Sequence, residues 1–155
     1  MHIEQMMDRA VITVAPDTDF ATLLARHARS DARHTYVVDG ANRLLGVITS
    51  HDMLGRMVPA YLTPGLAATL PDGAELVVNR FKENAGLKAS ELMRREVVTL
   101  KPGDTLVEAN VLLREGRFNA LPVVDASGTL VGDVSRKDLL RHIAQDICGL
   151  SLVAP

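Results

Sequence analysis

The 155-residue chain has no tryptophan, a single cysteine and only 3% aromatic residues. With so few rings, its core has to be assembled from Val, Leu, Ile, Ala and Met, because hydrophobic residues still make up 47% of the sequence. One cysteine, Cys148, excludes a disulfide framework within the chain and fits a reducing compartment. A net charge of −2 lacks the broad basic face that nucleic acid demands. No run approaches the roughly 18 consecutive apolar residues of a membrane span. The opening MHIEQMMDRAV has no basic region ahead of an apolar run, so no secretory signal is read there. The expected setting is the cytoplasm, without membrane insertion and without nucleic acid as a partner.

Catalytic machinery is missing too. There is no nucleophile–base pairing, no His/Cys/Asp/Glu spacing suited to a metal and no Walker-type phosphate loop. No residue is assigned a catalytic or metal-binding role, and the chain reads as a non-enzyme.

What the sequence does contain is a repeat. LLGVITSHDML at Leu44–Leu54 returns 86 positions later as LVGDVSRKDLL at Leu130–Leu140. Gly46 matches Gly132, Thr49 matches Ser135 and Asp52 matches Asp138. The register holds without a gap from Met7/Met93 to Met57/Ile143, so the architecture is a tandem duplication. Residues 1–57 form repeat 1, 58–92 an insertion, and 93–155 repeat 2 with a C-terminal tail.

Each repeat predicts the order β-α-β-β-α, an α/β class. A β-prone run, Val11–Val14 or Val97–Leu100, stops before a proline. A helix follows, capped by Asp19 in repeat 1 with Phe20, Leu23, Leu24 and His27 on its apolar stripe, and by Thr105 with Glu108 in repeat 2. Two short strands then flank the turns DGANR and DASGT, and a second helix closes the repeat. In the insertion, Pro59, Pro64, Gly65, Pro71 and Gly73 mark loop, and the Asp72/Glu75 spacing predicts a capped helix over Ala74–Glu83.

The paired motifs MDRAVITVAP/MRREVVTLKP, TYVVD/LPVVD and GVITSHDML/GDVSRKDLL resemble those of the tandem CBS-domain module, named after cystathionine β-synthase. The resemblance implies two repeats packed through their sheets as a pseudo-twofold pair, with clefts between them for adenosine-containing ligands. It also implies a homodimer that regulates an unknown effector protein. The expected ligand is an adenine nucleotide (AMP, ADP or ATP), with S-adenosylmethionine or NAD as relatives. Carried onto this sequence, one cleft would use Thr13, His34, Thr35, Tyr36, Thr49 and Asp52. The other would use Thr99, Ala120, Leu121, Pro122, Ser135 and Asp138. Arg33, His51, Arg117, Arg136 and Lys137 are the phosphate candidates. Two departures stand out: Tyr36 occupies the place of Pro122, and Asp133 the place of the apolar Val47.

Plainer readings accompany these. Thr49-x-x-Asp52 and Ser135-x-x-Asp138 are also capping boxes, and the two roles can coexist. His34 and His51 suit solvated surface, Arg94-Arg95 solvated charge, and His142 an exposed helix face. Cys148 suits a small buried hydrophobe, and the methionines suit packing. The alternative to a ligand sensor is a dimeric interaction scaffold with no obligatory ligand.

Overall fold

Strand β1 (Ile12–Val14) ends before Pro16, and helix α1 (Phe20–Ala28) starts where the Asp19 carboxylate accepts from the Thr22 N–H at 2.8 Å. Strands β2 (His34–Val38) and β3 (Leu44–Thr49) follow, and α2 (Ser50–Met57) runs directly out of β3. The insertion holds α3 (Pro64–Ala67) and α4 (Ala74–Asn84), with α5 (Ala89–Leu92) leading into the second repeat. That repeat supplies α6 (Leu106–Glu115), β4 (Ala120–Val124), β5 (Leu130–Ser135) and α7 (Arg136–His142), and a π turn over Ile143–Ile147 continues α7. The computed structural model describes residues 1–153, so the last two residues of the predicted tail lie outside the described residues. The mixed α/β class and the twice-repeated strand–helix pattern agree with the sequence reading.

The chain divides into two compact units that cut across the repeat boundaries. One comprises Ile12–Asp39 and Leu45–Arg95 and is called here the Asp52 unit; the other comprises Met1–Val11, Gly40–Leu44 and Glu96–Pro155 and is called the Asp138 unit. The segment that opens each repeat therefore packs with the body of the opposite one.

In the Asp52 unit, β1, β2 and β3 form a sheet in that order, with β1 and β2 parallel and Thr13 opposite Tyr36. Val14, Phe20, Leu23, Val37, Ile48, Met53, Ala89 and Leu92 make its core. The predicted insertion helix is present as α4, but its cap differs. Gly73 is the N-cap, and Asp72 instead accepts from the Ala74 N–H at 3.0 Å. Helix α4 covers this unit: Phe81 packs against the core at 6.4 Å from the Phe20 ring, and buried Asn84 donates to the Arg56 carbonyl at the end of α2.

In the Asp138 unit, β4 and β5 pair antiparallel, and Ile3 joins Leu100, Ala109, Leu113, Leu121, Val123, Val134 and Leu139 in the core. The predicted Thr105/Glu108 capping box is complete, with the Glu108 carboxylate accepting from the Thr105 N–H at 2.7 Å. Val97–Leu100, expected as a strand, is reduced to one parallel bridge between Leu100 and Val123. The cause is Pro122. Leu100 donates to the Pro122 carbonyl and its own carbonyl accepts from Val124, both at 2.9 Å. The next ladder bond would need an N–H on Pro122, which proline lacks and Tyr36 supplies in the other repeat.

The two repeat-marking glycines lie where backbones meet. A Cβ on Gly46 would sit 2.8 Å from the Arg94 carbonyl oxygen, and one on Gly132 would sit 2.6 Å from that of Asp8. Val47 and Arg94 exchange backbone hydrogen bonds of 3.1 and 3.0 Å, and Asp133 and Asp8 exchange bonds of 2.9 and 2.8 Å. The hairpin turns correspond as well: Asn42 (φ 60°) and Gly128 (φ 82°), also 86 apart, both take the left-handed conformation such turns require.

Candidate functional site

Both hydroxyl–Asp pairs sit where a strand becomes a helix. At the end of β3, Thr49 is the N-cap of α2: its Oγ1 accepts from the Asp52 N–H at 3.2 Å. Asp52 Oδ2 returns the favour, accepting from the Thr49 N–H at 3.0 Å and from its hydroxyl at 2.9 Å. The second copy repeats this geometry. Ser135 caps α7, and Asp138 Oδ2 accepts from the Ser135 N–H at 3.0 Å and from its hydroxyl at 2.5 Å.

In each pair the helix uses Oδ2 alone, so each carboxylate has a second oxygen outside the cap. A ligand hydroxyl needs just such an acceptor. The two differ in what that oxygen meets. Asp52 Oδ1 accepts from Arg94 Nη2 at 2.8 Å and Nε at 3.1 Å. Asp138 Oδ1 meets only Arg141 of its own helix among the described residues, at 3.4 Å. Burial pushes the Asp52 carboxyl upward, but the Thr49 N–H, the Arg94 guanidinium and the Thr49 hydroxyl outweigh it and hold the pKa below the usual 3.8. Arg94 is thus no merely solvated charge, although its side chain is 59% exposed.

His34, Thr35 and Tyr36 open β2 on the Asp52 unit and are all buried. This corrects the surface reading of His34, which is only 7% exposed, stands edge-on to the Tyr36 ring at 6.1 Å, and has no partner for Nδ1 among the described residues. Burial and the neighbouring His27 push its pKa down to about 4, against a smaller upward pull from Asp52. Thr35 and Tyr36 have no exposed surface, so neither side chain is open to solvent. His51 and Arg33 are exposed, and Thr13 is half-buried on β1.

In the Asp138 unit, Ala120, Leu121 and Pro122 are buried on β4, and Thr99 is half-buried outside any strand. Arg117, Arg136 and Lys137 are exposed. Arg117 takes a left-handed φ of 53° between α6 and β4. Arg136 reaches toward α6, where Nη2 donates to the Leu113 carbonyl at 3.4 Å. Asp133 engages the Asp8 backbone through its own.

Two residues that sequence reasoning undervalued belong to this geometry. One is Arg94. The other is His27, counted above only as a stripe position on α1. Its Nδ1 lies 3.0 Å from Thr35 Oγ1 and its Nε2 2.8 Å from Ser50 Oγ, so it ties α1 to β2 and to the first turn of α2. A polar residue on the apolar stripe of Phe20, Leu23 and Leu24 was its one signal in the sequence. Cys148 is exposed where a buried thiol was expected, and His142 is mostly buried and paired with Asp146 rather than exposed. No group of metal-ligating side chains occurs among the described residues, and none of their helices is long and apolar enough to cross a membrane.

Comparison with known proteins gives a consistent result. The model of the CBS domain matches residues 3–59 and 89–145. A CBS domain-containing protein of Dictyostelium discoideum is 30% identical over 138 residues, covering 89% of this chain and 88% of the relative. An uncharacterised protein of Methanocaldococcus jannaschii is 26% identical over 156 residues, covering 92% of this chain and 91% of its own. Among solved structures, CBSX2 of Arabidopsis thaliana shares the fold with a TM-score of 0.74 at 23% identity, over 97% of this chain and 98% of that one. CBSX2 in complex with AMP gives 0.72 at 23% identity, over 94% and 98%. The cytosolic domain of the Mg2+ channel MgtE, in complex with ATP, gives 0.67 at 23% identity over 90% of this chain and 48% of that one.

Proposed function

The chain belongs to the CBS-domain family, and from that premise we propose that it is a regulatory, non-catalytic sensor of adenine nucleotides. The observation that carries this reading is the twin hydroxyl–Asp geometry, in which Oδ2 of Asp52 and of Asp138 serves the helix cap while Oδ1 takes no part in it and meets an arginine instead. A ribose diol presents hydroxyl donors suited to that outer oxygen. The complexes of CBSX2 with AMP and of MgtE with ATP support an adenine nucleotide as the ligand class; nothing comparable supports S-adenosylmethionine or NAD. Thr13, His34, Thr35 and Tyr36 with Thr49 and Asp52, and Thr99, Ala120, Leu121 and Pro122 with Ser135 and Asp138, are the proposed ligand segments. Arg33, His51, Arg117, Arg136 and Lys137 are proposed for phosphate. Binding would favour one conformation of the module, and an effector protein preferring that conformation would respond by linkage. A homodimer in the cytoplasm is the proposed working form.

Calorimetric titration with AMP, ADP and ATP tests this reading, with Asp52→Asn and Asp138→Asn alongside. Binding that weakens in either variant supports it and identifies the unit that responds. The competing scaffold reading is favoured by the helix caps, which by themselves account for a hydroxyl and an Asp at this spacing, and it predicts no heat from any nucleotide.

A further inference from the structure

Arg94 and Asp8 hold equivalent places in the two repeats, 86 positions apart, and their chemistry is opposite. Each backbone is pinned to a strand of the unit it joins, Arg94 to Val47 and Asp8 to Asp133. From its pinned backbone, Arg94 reaches over the first turn of α2 and places a two-pronged guanidinium on Asp52 Oδ1, the one oxygen the cap leaves over. At the matching place in the Asp138 unit a carboxylate, Asp8, can donate no such bond, and among the described residues Asp138 Oδ1 has only the 3.4 Å contact from Arg141.

Building on the nucleotide reading above, we infer that Arg94 is a specificity-determining latch: it occupies the ribose acceptor Asp52 until a phosphate draws it away. The reasoning is one of exchange. An uncharged nucleoside must displace the fork from Oδ1 and offers the guanidinium no anion in return. A nucleoside monophosphate brings its own anion, and a guanidinium binds phosphate as readily as carboxylate, with the same two-pronged geometry. The Asp52 side chain is 14% exposed and that of Arg94 59%, so the guanidinium can swing through solvent while its backbone stays fixed. The Asp52 unit should therefore discriminate sharply between phosphorylated and unphosphorylated ligands. The Asp138 unit, with no arginine at this place, should discriminate less.

The test is calorimetric titration of adenosine and of AMP into the full chain carrying Asp138→Asn, so that the heat reports Asp52, with and without Arg94→Ala. An exposed ion pair worth about 1 kcal/mol corresponds to about fivefold in affinity. Arg94→Ala is expected to strengthen adenosine binding by about that factor and to lower the AMP-to-adenosine preference by at least as much. Arg94→Lys, which keeps the charge without the fork, should fall between. An unchanged preference, or adenosine binding that weakens, overturns the latch while leaving nucleotide binding intact. No heat from either ligand in the parent chain overturns the nucleotide reading, and the latch with it.

Discussion

Replacing Gly46 by alanine puts one methyl group where two backbones cross. Its Cβ would lie 2.6 Å from Met93 Sδ and 2.8 Å from the Arg94 carbonyl oxygen, against at least 3.4 Å for ordinary contact. The thioether can rotate away, but the carbonyl cannot, because it accepts from the Val47 N–H at 3.1 Å while the Arg94 N–H donates back to Val47 at 3.0 Å. Relief means pushing the Arg94 segment off β3 and stretching both bonds. Overpacking of this kind costs about 1–3 kcal/mol, and two weakened hydrogen bonds add about 1 each at most. The loss of unfolded-state freedom returns about 0.4–1 kcal/mol. The net expectation is a destabilisation of about 2–3 kcal/mol, or a fall in melting temperature of about 5–10 °C for a chain of this length. Gly132→Ala, 2.6 Å from the Asp8 carbonyl oxygen, should behave alike. Gly55→Ala is the internal control: it lies within α2 with nothing inside 4 Å, and should gain up to about 1 kcal/mol. Far-ultraviolet circular dichroism during a thermal melt suits a protein without tryptophan. If Gly46→Ala melts at or above the parent temperature, the reasoning that these glycines exist for backbone approach is wrong.

Two further outcomes follow from the caps and the buried histidine. Asp138→Ala should cost about 1 kcal/mol in urea denaturation through loss of the α7 cap, and Asp138→Asn distinctly less, because its amide oxygen still accepts from the Ser135 N–H; equal losses would mean the cap contributes nothing. For His34 the folded pKa of about 4 lies below the ordinary 6.5, so the unfolded chain takes up the proton first. Its contribution is complete above pH 6.5 and is lost as pH falls toward 4, amounting to about 3 kcal/mol. Urea midpoints measured across that range should fall more steeply in the parent than in His34→Leu, which keeps the contribution of His27, also held down by burial.

The elements were legible where the chain punctuates itself. The 86-residue offset, the prolines after each opening run, and the hydroxyl and acidic residues at the caps are local signals, and each marks a helix or a turn in the structure. Partner exchange was not legible. The segment at Asp8 joins Asp133, and the one at Arg94 joins Val47, through main-chain bonds that leave no side-chain signature. Gly46 and Gly132 were the only trace of it, visible as repeat markers but silent about what approaches them. The lost strand at Val97–Leu100 was readable in principle. Its residues are β-prone, but pairing depends on the neighbour, and Pro122 has no N–H to give. His34 escaped for the same kind of reason. Burial of a polar ring is decided by what packs over it, and spacing along the chain carries no information on that.

The capping role of the Asp pairs leaves room for the proposed binding role, because the helix uses only one oxygen of each carboxylate. A carboxylate has two oxygens, and in both repeats the helix takes the same one. The cap holds the Asp52 and Asp138 side chains in place, so under the proposed reading less ordering would be required on binding. Substitution to alanine would remove the cap and the proposed ligand contact at once and cannot apportion the result. Substitution to asparagine keeps an acceptor for the cap while removing the charge that attracts a guanidinium or holds a diol. What distinguishes the two halves is then not the Asp, which is common to both, but the residue that the exchanged segment carries at the equivalent position. Duplication supplied two copies of the Asp, and under the proposed reading a single difference in the incoming segment, Arg94 against Asp8, would give them different ligand preferences.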